Sequence, residues 1–290
     1  MPHLPADAAT TAPALPRAAT AAAAAVAFLD VRKTFPIPGG GRYTALEGVT
    51  LAVAPGEFVA IVGPTGGGKS TLLNLAAGLL APDAGEVRVF DVPLRGLNRS
   101  ATYLFQQDVL LPWKTAEENV MLGLLFRRRP AAQCRGLARE WLARVGLRGF
   151  ENRYPHQLSG GMRKRVALAQ TLIVDPEILL MDEPFGSLDV QTRQIMENDL
   201  LRLWAECRKT VLFVTHDLEE AIALSDRVVV LSSGPAARVI GSYPVPLPRP
   251  RDVAAIRLEE AFVEIYRTIW HQLHAEVRRA YARQAGEGTG

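Results

Sequence analysis

Phe58-Val59-Ala60-Ile61-Val62-Gly63-Pro64-Thr65-Gly66-Gly67-Gly68-Lys69-Ser70-Thr71 decides the fold of this 290-residue chain. Five apolar residues in a row read as a parallel strand buried on both faces. The next eight fit G-x-x-x-x-G-K-[ST], and residues 71–80 read as a helix. Between a strand and a helix, that pattern is a phosphate loop. Glycine opens backbone conformations closed to other residues, so consecutive N–H groups can converge on phosphate oxygens. The following helix adds the positive end of its dipole. Lys69 supplies a charge for β- and γ-phosphates, and the Ser70 hydroxyl suits a Mg²⁺ ligand.

Outward from this stretch the chain alternates. Upstream, residues 26–31 and 49–53 are strand-like, separated by Pro36, Pro38 and Gly39-Gly40-Gly41 and closed by Pro55-Gly56. Two strands joined by a turn before any helix predict a small antiparallel layer. Downstream, residues 178–181, 211–215 and 228–231 read as buried strands. Residues 191–208 read as a helix with Ile195, Leu200, Leu203, Trp204 and Cys207 near one face. This alternation predicts a mostly parallel α/β sheet. From about 115 to 172 no strand is apparent. Residues 131–145 carry Cys134, Leu137, Trp141 and Val145 at helical spacing, so a helical insertion is expected there. Residues 253–281 place Leu258, Phe262, Ile265, Ile269, Leu273 and Val277 at helical intervals, as one amphipathic helix would.

Two carboxylates, Asp182 and Glu183, end the apolar run 178–181. In a parallel sheet, ligands collect at the carboxyl ends of strands. Asp182 is placed to hold Mg²⁺, directly or through water, and Glu183 to orient or deprotonate a water attacking a γ-phosphate. The pair alone reads equally well as a helix cap; the upstream phosphate loop favours the chemical reading. His216 follows the run 211–215, where a γ-phosphate contact is useful, although a lone histidine after a strand is more often structural. Gln106, in Gln106-Gln107-Asp108, is by itself a loop glutamine.

Leu158-Ser159-Gly160-Gly161-Met162 joins these pieces. It resembles the LSGGQ-type signature of ABC ATPases, and the resemblance covers about residues 28–246. It implies a P-loop NTPase fold (RecA-like, mostly parallel sheet) with an antiparallel β layer and a helical subdomain at about 107–172. The domain would span 26–246, after an Ala/Pro-rich tail over 1–25 and before a C-terminal helical extension over 247–290. It also implies roles. Phe35 looks like the aromatic that stacks on adenine, with Tyr43 the neighbouring alternative. Gly63, Pro64, Thr65, Gly66, Gly67, Gly68, Lys69, Ser70 and Thr71 look like the Walker A loop. Gln106 looks like the Q-loop glutamine, a metal and water contact that also couples to the membrane partner. Ser159, Gly160 and Gly161 look like the signature. Asp182 looks like the Walker B aspartate, Glu183 like the catalytic glutamate, Asp189 like the D-loop aspartate and His216 like the switch histidine. The signature would face the phosphate loop of a second copy, with ATP between Lys69 of one chain and Ser159 of the other. One departure is Lys164, where relatives often carry Gln; its position predicts a modest effect. Gly67, often another small residue in relatives, should be tolerated.

Leu110-Leu111-Pro112-Trp113 and the residues from Met181 to Asp189 resemble the importer branch for nitrate, sulfonates and taurine. The resemblance implies ATP and Mg²⁺ as cofactors, and transmembrane permease subunits and a second copy of the chain as partners. A substrate-binding protein would be an indirect partner, and the site of action the cytoplasmic face of the cell membrane. A pyrimidine vitamin precursor is the alternative cargo; an exporter subunit and a non-transport ABC ATPase are the alternative functions. Composition fits this reading without demanding it: 48% apolar and 22% charged residues, a net charge of +3, and only Cys134 and Cys207, which lack metal-site spacing. No run of about 18 apolar residues exists, and the first 25 residues lack the pattern of a signal peptide. No base-reading motif or long basic stripe points to nucleic acid.

Overall fold

The computed structural model describes residues 24–287, with side chains through residue 279. In chain order the elements are β1 (Val26–Pro36), β2 (Arg42–Val53), β3 (Phe58–Val62), α1 (Lys69–Ala76), β4 (Ala84–Val89), β5 (Val92–Pro93), β6 (Ala101–Leu104), α2 (Ala116–Phe126), α3 (Ala131–Arg144), a 3-10 turn (Pro155–Gln157), α4 (Gly160–Leu172), β7 (Ile178–Asp182), α5 (Val190–Cys207), β8 (Thr210–Val214), α6 (Leu218–Leu224), β9 (Arg227–Leu231), β10 (Val239–Pro244), α7 (Val253–Ile256) and α8 (Glu260–Glu287).

Two sheets form. β2-β1-β4-β5 is antiparallel throughout, its first hairpin turned by Gly39, Gly40 and Gly41, all at left-handed φ. The second has the order β10-β9-β3-β8-β7-β6; its last five strands run parallel, and β10 is an antiparallel edge. β3 lies inside this sheet, and its alternating side chains feed two cores. Val59 and Ile61 pack with Phe28, Leu46 and Leu72 of the antiparallel layer and α1. Phe58, Ala60 and Val62 face the helices with Val166, Trp204 and Ile222. Phe58 meets Trp204 edge-on, centroids 5.7 Å apart, and the Trp204 indole N–H donates to Lys209 O at 2.7 Å. Burial on both faces explains why β3 is uniformly apolar.

The α/β class, the antiparallel layer and the helical insertion agree with the sequence reading. Details differ. α1 begins at Lys69 and ends at Ala76 because Gly78 turns the chain at φ +70°; a Cβ there would lie 1.9 Å from Gly96 O. β4, β6 and β10 were not legible as strands, being short or only part-buried. The single helix expected over 253–281 breaks after α7, capped by Asp252, and Leu258 in the break is 87% exposed. Ile195 and Cys207 lie off the buried face of α5, which is made by Met196, Leu200, Leu203 and Trp204. Of the tail expected over 1–25, residues 1–23 lie outside the described residues. Ala25 belongs to the fold: it is buried and its N–H donates to Val53 O at 2.8 Å.

Candidate nucleotide site

The carboxyl ends of β3, β7 and β8 point to one place. After β3 the loop bends through Gly66 and Gly68, both left-handed at φ 76° and 74°, and α1 starts at Lys69. The Gly68 conformation is reserved for glycine twice over, since a Cβ would also strike the Leu46 side chain at 2.6 Å. Gly67 has less room than its sequence suggests: a Cβ would sit 2.9 Å from Pro64 O. Lys69 is 7% exposed, and its Nζ donates to Gly63 O at 2.8 Å and Pro64 O at 3.0 Å. Burial lowers its pKa, while Glu183 and Asp182 act in the opposite direction.

Asp182 and Glu183 face different partners. The Asp182 carboxylate receives Ser70 Oγ at 3.1 Å on one oxygen and Tyr103 OH at 3.1 Å on the other. Burial raises the Asp182 pKa and these two donors oppose the rise; burial and the Asp182 charge push the Tyr103 phenol upward. Glu183 holds a left-handed φ of 43°, unusual for a side-chain-bearing residue, and its N–H donates to Val214 O at 2.9 Å. Its carboxylate meets Gln106 and His216. Gln106 Nε2 donates to Glu183 Oε2 at 3.3 Å, and His216 Nδ1 lies 3.2 Å from the same oxygen.

These residues border a cavity of about 620 Å³, lined by Thr65 to Thr71, Gln106, Glu183, His216 and, at one end, Phe35, Tyr43 and Ala45. Phe35 and Tyr43 are cross-strand partners on β1 and β2, so both face the cavity and the choice between them stays open. Tyr43 OH donates to Gly66 O at 3.2 Å. The donor set fits a magnesium ion. Ser70 Oγ and Asp182 supply hard oxygens, and Mg²⁺ commonly takes one or two carboxylates together with waters and substrate phosphates. Among the described residues no group of three or more His, Cys, Asp and Glu could hold a metal by itself, as such a shared site allows.

Ser159, Gly160, Gly161 and Asp189 do not border the cavity of their own chain. Ser159 is the exposed N-cap of α4, its Oγ accepting from Met162 N at 3.3 Å. Asp189 caps α5, accepting from Thr192 N at 2.9 Å, a bond that lowers its pKa. Residue-level reading missed three features. Tyr103 lies on β6, which carried no strand signal. Asp108 receives Arg163 Nε at 3.3 Å and pairs with Lys164 Nζ at 3.0 Å. Lys164, expected to matter little, is 2% exposed and also donates to Gln106 O at 2.5 Å, tying α4 to the segment that carries Gln106.

Comparisons with known proteins show the family of the chain. The family described as ABC transporter matches residues 46–186. The chain is 44% identical over 241 residues to an uncharacterized ABC transporter ATP-binding protein of Methanocaldococcus jannaschii, covering 83% of this chain and 88% of that protein. It is 41% identical over 251 residues to the nitrate import ATP-binding protein NrtD of Synechococcus elongatus, covering 85% and 91%. To the bicarbonate transport ATP-binding protein CmpD of a Synechocystis species it is 38% identical over 257 residues, covering 87% and 91%. Among solved structures, the dimeric post-hydrolysis state of an ATP-binding cassette bound to ADP and Pi matches with a TM-score of 0.68 at 35% identity, over 77% of this chain and all of that one.

Proposed function

The chain belongs to the ATP-binding subunits of ABC transporters, and on that premise we propose that it powers import of a small anion, hydrolysing ATP between two copies of itself beneath a pair of permease subunits. The observation that carries the site is the meeting of Gln106, Glu183 and His216 at the edge of the phosphate-loop cavity, with Asp182 behind Ser70.

The geometry supports the following roles. Loop N–H groups from Gly66 to Ser70 and the start of α1 receive phosphate oxygens, and Lys69 exchanges its carbonyl partners for β- and γ-phosphate oxygens. Ser70, Asp182 and Gln106 would hold Mg²⁺, which when bound offsets the charge on the β- and γ-phosphates. Glu183 accepts a proton from the attacking water or orients it; His216 and Gln106 fix the Glu183 carboxylate from two sides. Phe35 or Tyr43 supplies the surface for the base. Ser159 and the first amides of α4 form a second anion site, with Ser159 exposed and outside the lining of their own cavity, which suits a partner's ATP. Binding then closes the pair, and loss of the γ-phosphate opens it. No helix among the described residues is long and apolar enough to cross a membrane. In this reading permease subunits supply the path, with the protein held at the cytoplasmic face. The exposed Trp113, in the Leu110–Trp113 segment that follows Gln106, offers them a contact.

The test is phosphate release and oligomeric state for wild type and Glu183→Gln with ATP and Mg²⁺. The variant is expected to lose about 10²-fold or more of the rate and to accumulate as an ATP-dependent dimer; hydrolysis at the wild-type rate removes Glu183 from the mechanism. Small-anion import is supported by the names of the nitrate and bicarbonate relatives. Uptake of labelled nitrate, bicarbonate or taurine into vesicles carrying the protein with its permease subunits decides that part; ATP-driven efflux overturns it.

A further inference from the structure

α8 reaches the phosphate loop through one buried carboxylate. Glu276 is 5% exposed although it lies four turns into the last helix. Its Oε2 accepts from both Ser233 N at 3.0 Å and Ser233 Oγ at 3.1 Å, and its Oε1 from Arg279 Nη1 at 2.6 Å. Its buried partner is thus the connection between β9 and β10. One turn earlier on α8, Gln272 Nε2 donates to Ile240 O at 2.7 Å and Gln272 Oε1 accepts from Tyr243 OH, which fixes β10, the far side of that connection.

The near side packs directly on the phosphate loop. A Cβ on Gly67 would lie 3.1 Å from Ser232 O, one on Gly63 2.8 Å from Leu231 O, and one on Gly234 2.8 Å from Gly66 O. The two backbones approach closely, and at the Gly234 end the Tyr43 hydroxyl, which also donates to Gly66 O at 3.2 Å, joins the contact. This contact matters because the loop contains Gly66, Gly67 and Gly68 in succession, and glycine is the residue that loses most conformational freedom when held in one shape. Support from outside the loop therefore bears on how well its N–H groups are arranged before phosphate arrives.

We propose that Glu276 is a positioning residue for nucleotide binding: through Ser233 it holds residues 232–234 as the wall that keeps Gly66 and Gly67 in their phosphate-receiving shape. This rests on the reading of residues 63–71 as the ATP phosphate cradle. The C-terminal helix then acts on ATP affinity without touching ATP.

The experiment titrates the full-length protein with ATP, well below its melting temperature. Glu276→Ala is expected to weaken ATP affinity about five- to tenfold, and Ser233→Ala about threefold. Glu276→Gln, which keeps an acceptor for both Ser233 donors, stays within about twofold of wild type. Adding Ser233→Ala to Glu276→Ala costs no further affinity. If Glu276→Ala does not fold, Ser233→Ala decides alone. Affinity within about twofold of wild type in the folded variants overturns the proposal, even where melting temperature falls, because a merely structural Glu276 moves only the melting. Lys69→Ala separates the two readings. If it also binds ATP like wild type, the phosphate cradle itself is misassigned; if it loses ATP while Glu276→Ala and Ser233→Ala keep it, only the Glu276 proposal fails.

Discussion

Lys164 shows how one side chain can carry more than its place in a motif implies. It lies one turn beyond Ser159 in α4, at a distance from any phosphate the signature would meet. Yet its ammonium is buried, paired with Asp108 and bonded to the main-chain oxygen of Gln106. The same residue's side-chain amide reaches Glu183. Removing the charge leaves Asp108 paired with Arg163 and takes from the Gln106 segment its bond to α4. Lys164→Met is expected to slow phosphate release about tenfold, equivalent to about 1.4 kcal/mol, whereas Lys164→Gln, which can still donate to Gln106 O, falls between the two. Steady-state rates at saturating ATP and Mg²⁺ test this; equal rates in all three proteins mean that the Gln106 segment needs no anchor from α4.

At the scale of elements, the contact between α5 and α6 stores a pH dependence. Glu197 on α5 is fully buried, and Glu220 on α6 nearly so. Burial raises Glu197 from its usual 4.5 to about 7, opposed mainly by Arg257, with Asp217 and Glu219 raising it further and Arg193 lowering it. Burial raises Glu220 to about 8, opposed by the hydroxyl of Thr215, with Glu197 and Asp217 adding to the rise and Arg193 opposing it. In this window the folded chain holds protons that the unfolded chain has released. The stability these two groups contribute is therefore fully present below about pH 4.5 and is lost as pH rises through about 7 and 8. Glu220→Gln keeps a neutral partner for Thr215 and removes one of the two titrations. Its melting temperature should fall less than that of wild type between about pH 6 and pH 9; identical slopes would place the titration elsewhere. The same element junction shows a misreading: Ile195 is exposed, whereas Glu197, two residues on, is buried beside Met196 and Leu200, 3.5 Å from Arg257.

Over the whole molecule, the residues proposed to act on ATP fall into two groups. Lys69, Gln106, Glu183 and His216 border one cavity, whereas Ser159 and Asp189 are exposed helix caps outside its lining. If a second copy completes the site, two inactive variants should rescue each other. Lys69→Ala pairs and Ser159→Phe pairs each lack an intact site. A mixed pair has one site with Lys69 from one chain and Ser159 from the other. Mixing the two purified variants should thus restore phosphate release that neither shows alone, and the amount should depend on the mixing ratio. A silent mixture would mean that Ser159 serves its own chain.

Local chemistry was enough for the strand, loop and helix around Lys69, for the acidic end of β7, and for the helix-heavy middle section. A run of apolar residues, a Gly-Lys-Ser turn and a helical period are each complete within about ten residues. The short strands β4, β6 and β10 could not be read that way, since half-exposed segments become strands only by pairing with β1, β7 and β9. Tyr103 behind Asp182, Lys164 beneath Gln106 and Glu276 beneath the phosphate loop were equally illegible. Each joins residues at least 43 positions apart. A long-range hydrogen bond leaves no period and no composition in the sequence; only the packed sheet brings its two ends within reach.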